Sequence, residues 1–92
     1  MKVKYGKNAL KFLSKAEASL VQNIRKAING LTESPPKGDI KLLEGYRDGR
    51  KRLRVGKYRV IFRYDDASDG KKTITVLFIM NIGSRGDIYK EG

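Results

Sequence analysis

Cysteine, histidine and tryptophan are all absent from the 92-residue chain. Without cysteine, the chain has no disulfides, no thiolate nucleophile and no thiolate ligands for zinc or iron-sulfur clusters. Without histidine, mechanisms that pass a proton between two imidazoles are excluded. The ten acidic residues are scattered, and only Asp65 and Asp66 are adjacent. We therefore expect neither a bound metal ion nor a cofactor.

Long hydrophobic runs are missing as well. No stretch approaches the roughly 18 apolar residues of a membrane span, and the N-terminal MKVKYGKNAL lacks the apolar segment of a signal peptide. At 92 residues the chain has the size of one small domain. We expect a single domain over residues 1–92, in a reducing cytoplasm, with a core too small to enclose a large cofactor.

Acidic residues are outnumbered by basic ones: 21 Lys and Arg stand against 10 Asp and Glu, for a net charge of +11. The positive electrostatic potential that this charge creates favours the binding of polyanions. The excess is concentrated between residues 46 and 63, where Asp48 is the one acid among many cations. These cations are Arg47, Arg50, Lys51, Arg52, Arg54, Lys57, Arg59 and Arg63. A solubilising surface is the alternative; a membrane-surface role is disfavoured, because the cluster follows a strand pattern and not an amphipathic helix.

The first third of the chain predicts a strand followed by a helical hairpin. Lys2 to Tyr5 alternates as a short strand does, and Asn8 is placed to cap a helix over residues 8–14. The sequence from Ser14 to Glu17 has the form of a capping box, which would begin a second helix. The apolar stripe of that helix consists of Leu20, Val21, Ile24, Ala27, Ile28 and Leu31. Two consecutive prolines end it by residue 34.

A basic β-hairpin is predicted after a turn-rich passage from residue 37 to residue 49. Period-two alternation begins at Arg50 and places Arg52 and Arg54 on the same face. Gly56 and Lys57 form a two-residue turn, in which glycine supplies the positive φ. The returning strand covers residues 58–64. Its register sets Arg54 opposite Arg59 and Arg50 opposite Arg63, so one face of the hairpin is apolar and the other is rich in arginine.

The arginine face is the most informative feature of the pattern. Like charges directly opposite each other on a sheet destabilise it by about 0.2 to 1 kcal/mol per pair. A ligand that favours such a face is a phosphate backbone, because guanidinium groups bind phosphate oxygens bidentately. The alternative is that these long side chains simply extend into solvent.

The last part of the chain predicts one more strand. A polar loop over residues 65–72 leads into residues 74–82, which are apolar on both faces and are expected at the centre of the sheet. The predicted fold is α+β, with the N-terminal strand at an edge, a two-helix hairpin and an antiparallel sheet. Packing is the simplest role for the large apolar side chains Phe12, Phe62, Tyr64, Phe78 and Met80.

The residues of the hairpin and of the last strand carry a family resemblance. The stretch from Arg52 to Phe62, RLRVGKYRVIF, is followed by Ile82-Gly83-Ser84-Arg85 and then by Tyr89. Together with a Leu-x-Gly turn, LEG at residues 43–45, this set resembles the RelE/ParE superfamily of toxins from bacterial and archaeal type II toxin-antitoxin pairs. The likeness covers nearly the whole chain. It implies a RelE-like fold and a cognate antitoxin with an acidic neutralising segment.

Within the RelE branch, the resemblance implies a metal-independent, ribosome-dependent endoribonuclease (an mRNA interferase) that inhibits translation. A ribose 2′-hydroxyl would attack the adjacent phosphate of the mRNA and leave a 2′,3′-cyclic phosphate and a 5′-hydroxyl. The motif match gives the catalytic set Arg59, Arg85, Tyr89 and Arg52. The RNA-binding set is Arg50, Arg52, Arg54, Arg63, Lys51 and Lys57.

Each catalytic position has a chemical role in this interpretation. Arg59 and Arg85 would hold the scissile phosphate and neutralise its developing charge. Tyr89 would exchange a proton with the 2′-hydroxyl or the leaving oxygen. Two lysine positions of RelE carry Arg50 and Arg52 here, which keeps the charge but is poorly suited to proton transfer. Tyr89 also lies two residues closer to the Gly-x-Arg motif than its RelE counterpart.

Two other functions are compatible with this sequence. A ParE-like toxin has the same fold and poisons DNA gyrase by protein contact, without cleaving RNA. A basic module could also bind RNA with no chemistry. For single residues, the structural alternatives are a surface salt bridge between Arg85 and Asp87 and a loosely packed terminal aromatic at Tyr89. Relatives that use a Glu and a His are excluded by the lack of histidine.

Overall fold

The computed structural model describes residues 1–84 as two helices and a five-stranded sheet. In chain order the elements are β1 (Lys2–Tyr5), α1 (Lys7–Lys15), α2 (Ala18–Gly30), β2 (Asp39–Leu42), β3 (Lys51–Val55), β4 (Tyr58–Asp69) and β5 (Lys72–Ser84). The strand order is β1-β5-β4-β3-β2. The α+β class and the edge position of the N-terminal strand are confirmed. Neither helix has the length and apolar character needed to cross a membrane.

The helical hairpin forms as predicted, but its predicted caps do not. The residue that caps α1 is Gly6, without a side-chain hydrogen bond, so the assignment of Asn8 was wrong. The hydroxyl of Ser14 donates to the carbonyl of Lys11 at 2.8 Å inside α1, and it therefore begins no second helix. Glu17 precedes α2 and makes no side-chain cap. The predicted capping box is thus wrong, because α1 continues through Ser14.

The apolar stripe of α2 packs against one face of the sheet. Ile24 and Ile28 are fully buried there with Phe62, Leu77 and Ile79 of the sheet. Burial of each such side chain contributes about 1.5 to 3 kcal/mol. Half-buried Phe12 and Tyr64 pack around this cluster, which confirms their predicted packing role. The helices therefore cover one face of the sheet and leave the opposite face, here called the open face, without a covering helix among residues 1–84.

The β3–β4 hairpin has the predicted register. Val55 pairs with Tyr58 and Arg54 with Arg59, and Gly56 has a φ of 60° in the connecting turn. Arg50 is an exception, because β3 begins only at the next residue and Arg50 has no ladder partner in β4. The turn-rich passage also contains an unpredicted strand: β2 pairs antiparallel with β3, with Ile40 opposite Leu53.

The β4–β5 pair differs most from the sequence prediction. The polar loop predicted over residues 65–72 is wrong, since both strands continue through it to a tight turn at Gly70, whose φ is 66°. Residues 66–69 and 72–75 thus form a two-stranded ribbon beyond the ends of β1 and β3. The centre of the sheet is β4 and not β5. In addition, β1 pairs parallel with β5, so the sheet is mixed and not purely antiparallel.

Candidate functional site

The open face carries the arginines that strand parity had grouped together. Leu53 and Val60 point into the core, so their neighbours Arg52, Arg54 and Arg59 point away from the helices. Arg54 and Arg59 are directly opposite each other across the β3–β4 ladder. On its other side, Arg59 is opposite Gly83 of β5, which has no side chain. The side chain of Arg59 makes no hydrogen bond or ion pair with any other residue of the described range 1–84.

A groove of about 470 Å³ lies at the β2 end of the open face. We call it the arginine groove, and its lining residues are Lys41, Leu42, Leu43, Glu44, Arg52, Arg54 and Arg59. Four cations and one carboxylate face this space, which makes it attractive to anions. The two leucines add an apolar wall. The contributions of Lys41 and Leu42 were not predicted from the sequence, because β2 was not predicted. Leu43 and Glu44 were predicted only as part of a turn.

A second carboxylate, that of Asp39, borders the groove from the edge strand β2. Asp39, the first residue of β2, is opposite Arg54 in the β2–β3 ladder. Its Oδ1 lies 3.4 Å from Nη1 of Arg52, and its Oδ2 lies 4.0 Å from Nε of Arg54. The backbone carbonyl of Asp39 also accepts a hydrogen bond from Nη1 of Arg52 at 3.1 Å. Two of the three groove arginines are therefore engaged by Asp39.

A second group of arginines on the open face is engaged by Asp48. Oδ2 of Asp48 lies 2.8 Å from Nη2 of Arg50 and 3.0 Å from Nη1 of Arg63. Arg63 also bonds Asp65 through Nε at 3.0 Å, and Arg50 stacks 4.0 Å from the ring centre of Tyr46. These contacts form a continuous network, here called the Asp48 network, between the β2–β3 loop and β4. Its two arginines already have carboxylate partners, which reduces their availability to a ligand.

The protonation equilibria reflect these bonds. The pKa of the Asp48 carboxyl is held far below its usual value, chiefly by the side-chain hydrogen bond from Arg50, while burial opposes this shift. The hydrogen bond to Asp48 raises the pKa of Arg50, and the hydrogen bond to Asp65 raises that of Arg63. The sequence signal for this network was Asp48-Gly49-Arg50, in which Oδ1 of Asp48 accepts the Arg50 backbone N–H at 3.2 Å.

The remaining predicted site residues are dispersed. Lys51 lies on the helix-facing side, with its Nζ 5.5 Å from the ring centre of Tyr64. Lys57 is in the β3–β4 turn, with its Nζ 5.6 Å from the ring centre of Tyr58. The other two catalytic candidates, Arg85 and Tyr89, lie outside the described residues. The structure therefore brings Arg52, Arg54 and Arg59 together and separates them from Lys51.

Comparison with known proteins identifies the family. Residues 3–89 match the family model described as the ParE toxin of type II toxin-antitoxin system, parDE. The chain belongs to the ParE toxin family. It is therefore a toxin of a type II toxin-antitoxin system, within the RelE/ParE superfamily that the sequence resembles, and its partner is a cognate antitoxin. The match does not select the RelE branch.

A solved structure has the same fold as this ParE-family toxin. The structure titled YoeB/ParE toxin from Agrobacterium tumefaciens aligns with a TM-score of 0.71 and 18% sequence identity. The alignment covers 94% of this chain and 100% of the other chain. No curated protein sequence matched the chain. At this level of identity the structural match establishes the fold alone.

Proposed function

We propose that this toxin binds the phosphate backbone of mRNA in the arginine groove and cleaves it on the ribosome. The observation that carries the proposal is the position of Arg59. Its guanidinium has no partner within residues 1–84 and lies on the groove wall with Arg52 and Arg54. A cation held beside other cations, with no carboxylate partner in the described part of the chain, is suited to a phosphate group.

In the proposed reaction, Arg59 contacts the scissile phosphate and Arg52 and Arg54 contact its neighbours along the strand. Charge develops on the phosphate as the 2′-hydroxyl attacks, and fixed guanidinium groups stabilise that charge without reorganisation. The bond from phosphorus to the 5′ oxygen breaks, the 2′-hydroxyl loses its proton and the leaving 5′ oxygen gains one. Arg85 would add a second cation at this phosphate, and Tyr89 would exchange a proton with the 2′-hydroxyl or the leaving oxygen. These two roles rest on the family resemblance, since both residues lie outside the described range. No step requires a metal ion in this scheme.

A gyrase poison is the second candidate function. Two observations favour it: the matching family model is described as a ParE toxin, and the Asp48 network engages Arg50 and Arg63. With those two arginines neutralised, the open face presents fewer free cations to RNA than the sequence alone indicated. A toxin of this kind acts by protein contact and needs no catalytic groups on the groove.

The two functions are separated by parallel assays on the purified toxin. Primer extension on translating ribosomes is expected to show new 5′ ends with the wild-type protein and none with Arg59→Ala. DNA supercoiling by gyrase is expected to be unaffected by either protein. Inhibited supercoiling with no new 5′ ends would establish the gyrase poison instead. RNA binding without cleavage or gyrase inhibition would leave a non-catalytic RNA-binding module.

The metal requirement is tested separately, because ribosomes themselves need magnesium. A short RNA is incubated with a high concentration of toxin in the presence of a chelator. Cleavage is expected to persist. Cleavage that returns only when magnesium or manganese is restored would overturn the metal-free scheme.

A further inference from the structure

Asp39 and Arg52 differ sharply in their exposure to water. The Arg52 side chain is 12% exposed, whereas the Asp39 side chain is 59% exposed. A guanidinium with little water around it depends on nearby anions and carbonyl groups for its stabilisation. An exposed carboxylate, in contrast, loses little when it turns away into solvent. Arg52 therefore depends on a nearby anion, whereas the Asp39 carboxylate can leave the pair at little cost.

The position of Asp39 resembles that of a bound phosphate. Its two carboxylate oxygens point at different guanidiniums, those of Arg52 and Arg54, at the border of the arginine groove. A phosphate oxygen pair makes the same kind of bridging contact between two arginines. Because β2 is the outer strand of the sheet, no further strand of the described chain hinders the approach of a ligand from that side.

We propose that the Asp39 carboxylate holds, in the free toxin, a place that a phosphate of the bound nucleic acid takes. Asp39 is then an internal competitor for Arg52 and Arg54. It relieves the repulsion between neighbouring arginines when the groove is empty and weakens phosphate binding to the same arginines. This inference rests on the proposed function and adds a regulatory group to that site.

A purely positioning role for Asp39 makes a different prediction. If the carboxylate were needed to orient Arg52, its loss would weaken binding. However, the Asp39 backbone carbonyl also bonds Nη1 of Arg52, and that bond is retained in any substitution at the position. Removing the carboxylate charge therefore leaves Arg52 oriented and frees it for phosphate.

The test compares Asp39→Asn with Asp66→Asn. Asp66 is an exposed acid on β4 whose side chain, by strand parity, lies on the opposite face from Arg59. Both variants remove one negative charge, so the control accounts for the change in net charge. The ligand is a fluorescent single-stranded RNA with 2′-O-methyl groups, which cannot be cleaved by 2′-hydroxyl attack. Fluorescence anisotropy is measured over a series of salt concentrations.

Asp39→Asn is expected to tighten RNA binding about 5- to 10-fold at low salt, while Asp66→Asn changes it less than about 2-fold. The salt slope of Asp39→Asn becomes steeper by about 0.7 for each additional phosphate that the arginines neutralise. Its melting temperature falls by about 1 to 6 °C, because Arg52 and Arg54 lose the Asp39 carboxylate as a partner. Asp66→Asn melts as the wild type does. Binding by Asp39→Asn that is equal to or weaker than wild type, or tightened no more than by the control, would overturn the proposal.

A second ligand separates this inference from the proposed function. Tripolyphosphate binding is measured by calorimetry with the same three proteins. If RNA binds to the wild type but Asp39→Asn does not tighten it, the inference fails and the proposed function stands. If no protein binds RNA, yet Asp39→Asn tightens tripolyphosphate, the proposed function fails and the competition by Asp39 stands.

Discussion

At the scale of single residues, the pair Arg54 and Arg59 gives the sharpest test of catalysis. Both side chains lie on the arginine groove in directly opposed positions, but only Arg59 matches the catalytic motif. We expect Arg59→Ala to lower kcat on programmed ribosomes roughly 100- to 1000-fold, the effect of losing about 2.7 to 4 kcal/mol of electrostatic stabilisation. Arg54→Ala should weaken RNA binding and keep its turnover at saturation.

Thermal melts serve as the folding control for these variants, since both side chains lie outside the core. Tyr89→Phe, at a position outside the described residues, is expected to reduce cleavage as Arg59→Ala does. Folded Arg59→Ala protein that cuts at a near wild-type rate would contradict the assignment. A variant that no longer cuts but still arrests growth would favour the gyrase poison.

Asp48 carries a prediction about acid stability. Its carboxyl is charged in the folded state at pH values where the unfolded chain, with a pKa near 3.8, is already protonated. A lowered folded-state pKa contributes stability that is complete above about pH 5 and is lost as the pH falls further. Asp48→Asn should therefore destabilise the toxin by about 1 to 3 kcal/mol at pH 7. The difference from wild type should shrink toward pH 2.

Urea unfolding at several pH values measures this effect. Asp66→Asn is a matched control, because Asp66 is exposed and lies outside the Asp48 network. A constant difference between wild type and Asp48→Asn from pH 7 to pH 2 would contradict the role of the network in acid stability.

At the scale of secondary structure, the sequence was sufficient to predict the elements whose hydrophobic pattern lies within one short segment. The β3–β4 hairpin alternates with period two around a glycine turn, so its register could be predicted. The strand β2 was missed because it has only four residues, of which Ile40 alone is half-buried. The ribbon was missed because most of its described side chains are exposed, and such strands show little hydrophobic alternation. The parallel β1–β5 pair joins distant segments and has no local signal.

The candidate site likewise combines residues that a local pattern groups together with contacts that depend on distant segments. Arg52, Arg54 and Arg59 were grouped correctly by strand parity, which depends only on the hairpin. The groove itself needed β2, which supplies Lys41 and Asp39. The binding of Arg63 by Asp48 depends on how the β2–β3 loop folds back on β4, and sequence spacing does not encode that contact.

A substitution at Gly38 tests how strongly stability depends on the backbone conformation just before β2. Its φ is 128°, and an added Cβ would lie 2.5 Å from Cδ1 of the buried Leu53. We expect Gly38→Ala to cost about 2 to 4 kcal/mol, from backbone strain and overpacking together. Gly56→Ala is the matched control, since Gly56 has a φ of 60° with nothing within 4 Å of an added Cβ. Its cost should be about 1 kcal/mol, from backbone strain alone.

Chemical denaturation gives both free energies of unfolding. Gly38 leads into β2, whose Asp39 backbone carbonyl accepts a hydrogen bond from Arg52. Displacement of this backbone by Gly38→Ala should therefore disturb Arg52 and weaken RNA binding, whereas Gly56→Ala should not. Equal destabilisation by the two variants would show that the contact with Leu53 is relieved at little cost.

At the scale of the whole molecule, we expect the net charge of +11 to dominate association with the antitoxin. We expect an acidic antitoxin segment to lie along Arg52, Arg54 and Arg59, and complex formation to weaken with added salt. Arg50→Ala should affect the complex less than Arg54→Ala, because Arg50 is held by Asp48 at 2.8 Å, whereas Arg54 is more exposed and lies 4.0 Å from Asp39. Calorimetry at low and high salt measures both effects. An unchanged affinity across salt concentrations would contradict the electrostatic basis of the complex.

The parallel pairing of β1 with β5 has a consequence for synthesis of the toxin. Lys2 pairs with Val76 and Tyr5 with Ile79, so β1, the first strand of the described residues, can pair only after β5, the last strand among them, has been synthesised. Closing so long a loop is entropically costly and slow. While the ribosome is still making β4, the chain lacks both the inner strand β5 and the buried Leu77 and Ile79. A ribosome translating this gene is therefore not exposed to the folded toxin on its own nascent chain until almost the whole described sequence has been released.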